Sequence, residues 1–246
     1  MKKYFFLSLL LLGICSLEAQ IIQTRMLEVS PENRDKFISA VAKKTQLYNS
    51  KKGQTRFLTF EIVTGKYAYN FVRVQVADSI AALDQVDQAG NAYWQKTTAS
   101  LHKSYGNRMW SLVKGATHAP ESAKYEDLRR VIYYTFTDQG SDDFWRFRER
   151  VKKAMEASGY NHRMGVWYCQ SGCDGNVVMV RFHHENFAGQ AQDYDQPLRD
   201  MIAKYNEMYG KDAYEQDGDR VDASLVEGGR KIRHYKFRPD MSSPRN

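Results

Sequence analysis

Asn70-Phe71-Val72-Arg73-Val74-Gln75 and Asn176-Val177-Val178-Met179-Val180-Arg181 are two versions of one β-rich segment, set in opposite halves of a 246-residue chain. Both alternate around valines, as a strand with one packed face requires. Working outward from the first copy, residues 67–76 form a strand joined to another at 56–63 through the turn signal Thr64-Gly65-Lys66. Ahead of these, Ser30-Pro31 starts a helix, with Pro at the first helical position. Its stripe is Phe37, Val41, Lys44 and Tyr48, and Gly53 closes it. Residues 24–29 read as a strand and 79–103 as a second helix.

The second copy has the same surroundings. Residues 130–136 are a strand rich in Val, Ile, Tyr and Thr. Ser141-Asp142-Asp143 starts a helix with the stripe Phe144, Phe147, Val151 and Ala154, ended by Gly159. Strands at 163–169 and 176–183 follow, then a helix at 192–209 and a last strand at 231–238. The last strand of the first half is ambiguous: 109–114 supplies it or stays helical.

Strand–helix–strand–strand–helix–strand, used twice, resembles the ferredoxin-like unit of the dimeric α+β-barrel superfamily, here as a tandem fusion. The resemblance rests on element order and length over most of the chain. It implies an α+β fold of two ferredoxin-like βαββαβ repeats with antiparallel sheets, packed face to face as a pseudo-dimeric barrel. The repeats would span 20–114 and 125–240, with a polar linker at 115–124 containing Pro120 and a loose tail at 241–246. Two ferredoxin-like domains without a shared barrel are the alternative. Families of this type include small cofactor-independent monooxygenases, haem-degrading and haem-binding enzymes, and proteins of unknown role, and fold alone does not choose among them.

Alternation sorts the candidate site residues. On 67–76, Ala68, Asn70, Val72, Val74 and Val76 form an aliphatic face expected to pack under helices. Tyr67, Tyr69, Phe71, Arg73 and Gln75 form a mixed face expected to meet the partner sheet, sharing it with Thr59 and Glu61. Carrying the Asn70–Asn176 match forward puts Val177, Met179, Arg181 and His183 on the equivalent face, with Trp167 and His234 as neighbours. Glu61, Tyr69, Arg73, Gln75, Trp167, Arg181, His183 and His234 are therefore the ligand-binding candidates inside a barrel. An arginine fork there suits a carboxylate and a desolvated histidine suits proton transfer. A buried Arg73–Glu61 ion pair is the structural alternative. His183 and His184 point to opposite faces of a regular strand, so no metal site is read from them.

At the start of the chain, Lys2-Lys3, an apolar run from Tyr4 to Cys15 and Leu17-Glu18-Ala19 read as a cleavable secretory signal over residues 1–19. Periplasmic or secreted localisation follows, with no transmembrane span in the mature chain, since the apolar run is short of the roughly 20 residues a span needs. Removal of Cys15 leaves two of three cysteines, Cys169 and Cys173, expected to form a disulfide across a hairpin. The formal charge of +7 is scattered in pairs such as Lys43-Lys44 and Arg129-Arg130, without the basic and aromatic interleaving of a nucleic-acid module. A nucleophile elbow, a phosphate-binding loop and a His-Glu-x-x-His stretch are all missing. The resulting expectation is an exported non-enzymatic binding or interaction protein. The alternative is a small-molecule enzyme or binder, monooxygenase-like or haem-related, using the barrel interior. No cofactor is indicated. The partner is a small molecule in the barrel or another protein, and the oligomeric state is unknown.

Overall fold

The computed structural model describes residues 20–245, so the leader read at 1–19 lies outside the described residues. Strands β1 (Ile21–Glu28), β2 (Arg56–Ile62), β3 (Phe71–Ala77) and β4 (Lys103–Leu112) belong to the first half. Strands β5 (Leu128–Phe136), β6 (Met164–Ser171), β7 (Asn176–His184) and β8 (Leu225–Phe237) belong to the second. They close into one antiparallel barrel in the order β1-β3-β2-β8-β5-β7-β6-β4. Two seams join the halves. At one, β2 meets β8 over Phe60–Ile62, and at the other β4 meets β6 over Met109–Leu112. Closure leaves no free sheet edge.

Helices cover the outside. Helices α1 (Arg34–Tyr48) and α2 (Gln88–Thr98) lie over the first half, and α3 (Ser141–Ala157), α5 (Gln196–Tyr209) and α6 (Ala213–Ser224) over the second, with α4 (Phe187–Asp193) leading into α5. The fold thus has three apolar layers. Phe37, Val41, Phe71 and Trp94 fill the space under α1 and α2. Phe144, Phe147, Val151, Val178, Val180 and Met201 fill the space under α3, α5 and α6. Val72, Val74, Trp110, Val131, Met179, Tyr235 and Phe237 fill the barrel.

Several boundaries differ from the sequence reading. The helix expected at 79–103 breaks into a 3-10 turn at Ala81–Asp84 and α2, because Asp87 restarts it by accepting a 2.8 Å hydrogen bond from the Gly90 amide. A Cβ at Gly90 would sit 1.9 Å from the Asp87 carboxylate, so the cap requires glycine there. β4 resolves the ambiguous last strand of the first half. Asp195 and Pro197 divide the helix expected at 192–209, and α6 was not foreseen. The end of the chain is not loose up to Ser243: Met241 and Ser243 are buried, and the Ser243 hydroxyl accepts from the Phe57 amide at 2.9 Å. Cys169 and Cys173 are bridged, with Cα atoms 6.4 Å apart. Cys173 lies in the turn before β7, so the bridge clips a turn and does not cross the hairpin ladder.

Candidate functional site

The strand carrying Arg73 faces the opposite way from the sequence expectation. Val72 and Val74 point into the barrel, while Phe71 and Arg73 point at α1 and α2. In β7 the inward residues are Val177 and Met179, and Val178 and Val180 face helices. The Asn70–Asn176 match is therefore one residue out of phase. Asn176 opens β7, whereas Asn70 closes a turn whose Tyr69 has φ +69°. A single-residue shift exchanges the two faces of a strand.

Five of the eight candidates consequently lie outside the barrel. Glu61 pairs with Arg34 at 2.6 Å and Arg238 at 3.2 Å, not with Arg73. Arg73 is buried under α1, donating to Thr59 Oγ1 at 2.8 Å and to the Met241 carbonyl at 3.1 Å. Tyr69 is 73% exposed in its turn. Gln75 shares the outward face with Arg73. His234 bonds Thr64 and Gln190 on the outer surface of β8. Trp167, Arg181 and His183 do come together at the barrel end, where the Arg181 guanidinium lies 4.6 Å over the Trp167 ring. Burial, then Arg129, Arg181 and Arg163, holds His183 well below the usual imidazole range, so it is neutral at neutral pH. The rest of the interior is filled by side chains, and the void at this end is about 160 Å³.

A larger cavity, about 530 Å³, lies outside the barrel between α3, α5 and α6 and the sheet of β5, β7 and β8. That volume is in the range of small-molecule sites. Its floor is Ile132, Phe182 and Ile232, and its walls include Tyr134, Tyr160, Tyr194 and Tyr214. Three arginines reach it. Arg130 lies over Tyr194, Arg230 pairs with Asp222, and Arg148 lies 4.5 Å over the Phe147 ring. Arg148 is 5% exposed, has no carboxylate within 4 Å among the described residues, and its Nε has no partner. Burial raises the phenols of Tyr160, Tyr194 and Tyr214, Tyr160 beyond the usual range, so they act as donors and not as bases. Sequence reasoning missed this site. The usable signal was Arg148 itself, one helical turn from Phe144 and Val151 within an apolar stripe.

Haem iron takes His, Cys, Met or Tyr as its axial ligand. The cavity lining contains no histidine or cysteine, only the buried thioethers of Met155 and Met201 and the four phenols. The nearest ring, His184, packs 5.9 Å from Tyr194 with its Nδ1 taken by Asp193 at 2.5 Å, and it does not line the cavity. A histidine-ligated haem does not fit these residues. Among the described residues, no group of three or more His, Cys, Asp or Glu side chains is placed to hold a metal ion.

No protein-family model and no curated protein matches the chain. Solved structures do. A proposed monooxygenase from Lactobacillus acidophilus NCFM superposes with a TM-score of 0.61 at 12% identity, covering 92% of this chain and 96% of its own. An anthrone oxidase-like protein gives 0.56 at 13%, covering 90% and 92%. A chlorite dismutase from Candidatus Nitrospira defluvii gives 0.55 at 11%, covering 90% and 92%. Identities this low show the fold alone: the chain is an α+β protein built on a closed, eight-stranded antiparallel barrel. The expectation of a non-enzymatic interaction protein is corrected by these neighbours, which are monooxygenase-like and chlorite dismutase-like and favour the small-molecule reading.

Proposed function

We propose that this chain is an exported small-molecule enzyme of the monooxygenase type, acting on a planar, anionic or phenolic substrate in the cavity beneath α3, α5 and α6. The observation that carries the reading is Arg148, a buried guanidinium without a carboxylate, facing an aromatic-lined space of small-molecule size. An unpaired buried cation is costly unless something compensates it. A substrate oxyanion does so, and the tyrosine hydroxyls add donors that orient it.

In this reading the substrate supplies all four electrons that O₂ takes up. A substrate methylene, R₂CH₂, plus O₂ gives the ketone R₂C=O plus H₂O, so no external reductant is required. Arg148 and Arg130 stabilise the enolate or phenolate that forms as the first proton leaves. Glu215 and Asp219 line the α6 side of the cavity and are the available proton acceptors. The reading also takes the barrel to be two βαββαβ units in tandem, as the strand orders β4-β1-β3-β2 and β8-β5-β7-β6 suggest. Export is supported by the 1–19 pattern and by the Cys169–Cys173 bridge.

Oxygen uptake with an anthrone as probe tests the reaction. Consumption that falls at least tenfold in Arg148→Met supports it. No uptake, together with no change in tyrosine or tryptophan fluorescence on adding the anthrone, would falsify it.

A further inference from the structure

We propose that the open end of the barrel is a second, separate ligand site, built for a small carboxylate or oxyanion. The inward faces of three strands each carry an arginine at this end: Arg56 on β2, Arg129 on β5 and Arg181 on β7. Arg245 joins them from the chain end, lying over the Phe237 ring. Together they line a void of about 160 Å³, with Trp167 as one wall and Tyr125 at the rim. The lining contains no aspartate or glutamate.

Charge balance argues against a purely structural role. Among the described residues Arg245 has a carboxylate partner, Asp127 at 2.8 Å, while Arg56, Arg129 and Arg181 have none within 4 Å. Arg129 is 4% exposed and its recorded hydrogen bonds go to the Glu126 and Leu128 carbonyls. Burial, Arg181 and Arg245 lower it to about 9, and burial lowers Arg181 to about 10, so both stay charged at neutral pH and repel one another. Three buried polar atoms on residues lining the void lack any partner: Arg56 Nε, Arg181 Nε and Trp167 Nε1. Trp167 is 3% exposed, so water does not reach its Nε1 freely. Buried donors without acceptors are rare and costly. Converging cations and orphaned donors around one void are what a bound anion resolves.

Size and geometry narrow the class. The void is below the several hundred Å³ of drug-sized sites, which limits the occupant to a few heavy atoms. Stacking on Trp167 fixes the plane of the Arg181 fork, the geometry that grips a carboxylate or a planar pair of oxyanion oxygens. This site is independent of the helix–sheet cavity, because Arg129 and Arg181 face inward where Arg130 and Phe182 face outward.

Calorimetric titration of the mature chain with acetate, succinate and inorganic phosphate, at constant ionic strength set by chloride, tests it. The expected result is saturable one-to-one binding of at least one polyatomic anion. It should change tryptophan emission in the wild type but not in Trp167→Phe, and weaken at least tenfold in Arg181→Gln and in Arg56→Gln. Arg148→Met should bind the anion normally, whatever its effect on oxygen uptake. Arg56 is only partly buried, so its variant keeps the test valid if Arg181→Gln does not fold. Acetate or succinate alone binding assigns a carboxylate, and phosphate alone an inorganic oxyanion. Absence of binding by all three, or binding unchanged in both arginine variants, overturns the proposal.

Discussion

Arg73 donates a 2.8 Å hydrogen bond to Thr59 across the β2–β3 ladder and meets no carboxylate among the described residues, although Glu61 stands two residues along the same face. Glu61 is held by Arg34 and Arg238 instead. The guanidinium is left between Phe57, at 4.6 Å, and Trp94, at 5.1 Å, with the Lys44 ammonium on the same Phe57 ring. Burial lowers Arg73 to about 9, while burial and then Arg73 push Lys44 down to about 8, against a smaller opposing pull from Asp87. The fold carries this cationic pair at an energetic cost.

Stability should therefore rise with alkaline pH. Between about pH 8 and 10.5 the unfolded chain keeps the Lys44 proton that the folded chain has released, and stability increases wherever the unfolded state binds more protons. The gain is about 1–3 kcal/mol. Lys44→Met should reduce the rise, leaving the share of the lowered Arg73, Arg129 and Arg181, and stabilise the protein at pH 7. Denaturant midpoints at pH 7, 8, 9 and 10 check it; a wild-type profile that is flat or falling contradicts the assignment.

The strand face of β3 gives a second test. Val74 is 3% exposed in the barrel and Gln75 lies half-buried on the other side. Val74→Lys should cost about 4 kcal/mol or more, because an unpaired charge enters a packed interior, and Gln75→Lys about 1 kcal/mol or less. The reverse order would restore the orientation that the Asn70–Asn176 match suggests.

That orientation shows where the sequence was readable and where it was not. Valine alternation in β3 and β7 announced the strands, and Ser30-Pro31 announced the 3-10 turn that leads into α1, because these signals are local; α1 itself stops at Tyr48, capped by Asn49 and short of Gly53. Which face of β3 enters the barrel is set by the turn at Tyr67–Asn70, where a left-handed tyrosine adds a residue that no strand pattern reveals. Grouping Thr59, Glu61 and Arg73 on one face was sound; assigning that face to the partner sheet was not. Arg181, Trp167 and His183 were found because β7 starts directly at Asn176. The helix–sheet cavity stayed hidden because α6 has a mixed polar sequence, Ala213–Ser224, whose place is fixed by contacts with α3 and α5.

Arg148→Met separates ligand binding from folding. Removing a buried cation without an anionic partner should leave the melting temperature unchanged or higher, since apolar replacements of buried charges are often stabilising. Affinity for an anionic aromatic ligand should still fall at least tenfold. A variant that loses stability and keeps affinity would make Arg148 a packing residue only.

Reduction of the Cys169–Cys173 bridge should matter modestly. The loop it closes is very short, so the chain-entropy contribution is about 2 kcal/mol at most. For a domain of this size that lowers the melting temperature by roughly 4–8 °C. Cys169→Ser/Cys173→Ser and the dithiothreitol-treated wild type should agree. A loss well beyond this range would mean that the turn holding Gly172, whose added Cβ would sit 2.5 Å from the Asn107 carbonyl, also keeps β4 against β6.

Acid should unfold the protein more readily than its basic composition suggests, because the buried histidines are neutral in the fold. His102, His118, His183, His184 and His234 are all lowered from 6.5, in each case chiefly by burial, and Asp193 only partly offsets this at His184. A histidine whose folded pKa lies below its unfolded value contributes its full stability above about pH 6.5. That stability is lost as pH falls towards the folded value, since the unfolded chain takes up the proton first. The denaturant midpoint should therefore drop steadily from pH 7 to pH 5. His183→Gln should flatten part of the slope, because the imidazole facing Arg129 and Arg181 is the most strongly opposed to charging. A small anion bound beside those arginines should reduce the same slope by offsetting the positive field. A wild-type midpoint constant from pH 7 to pH 5 would show that these imidazoles titrate alike in the folded and unfolded chain.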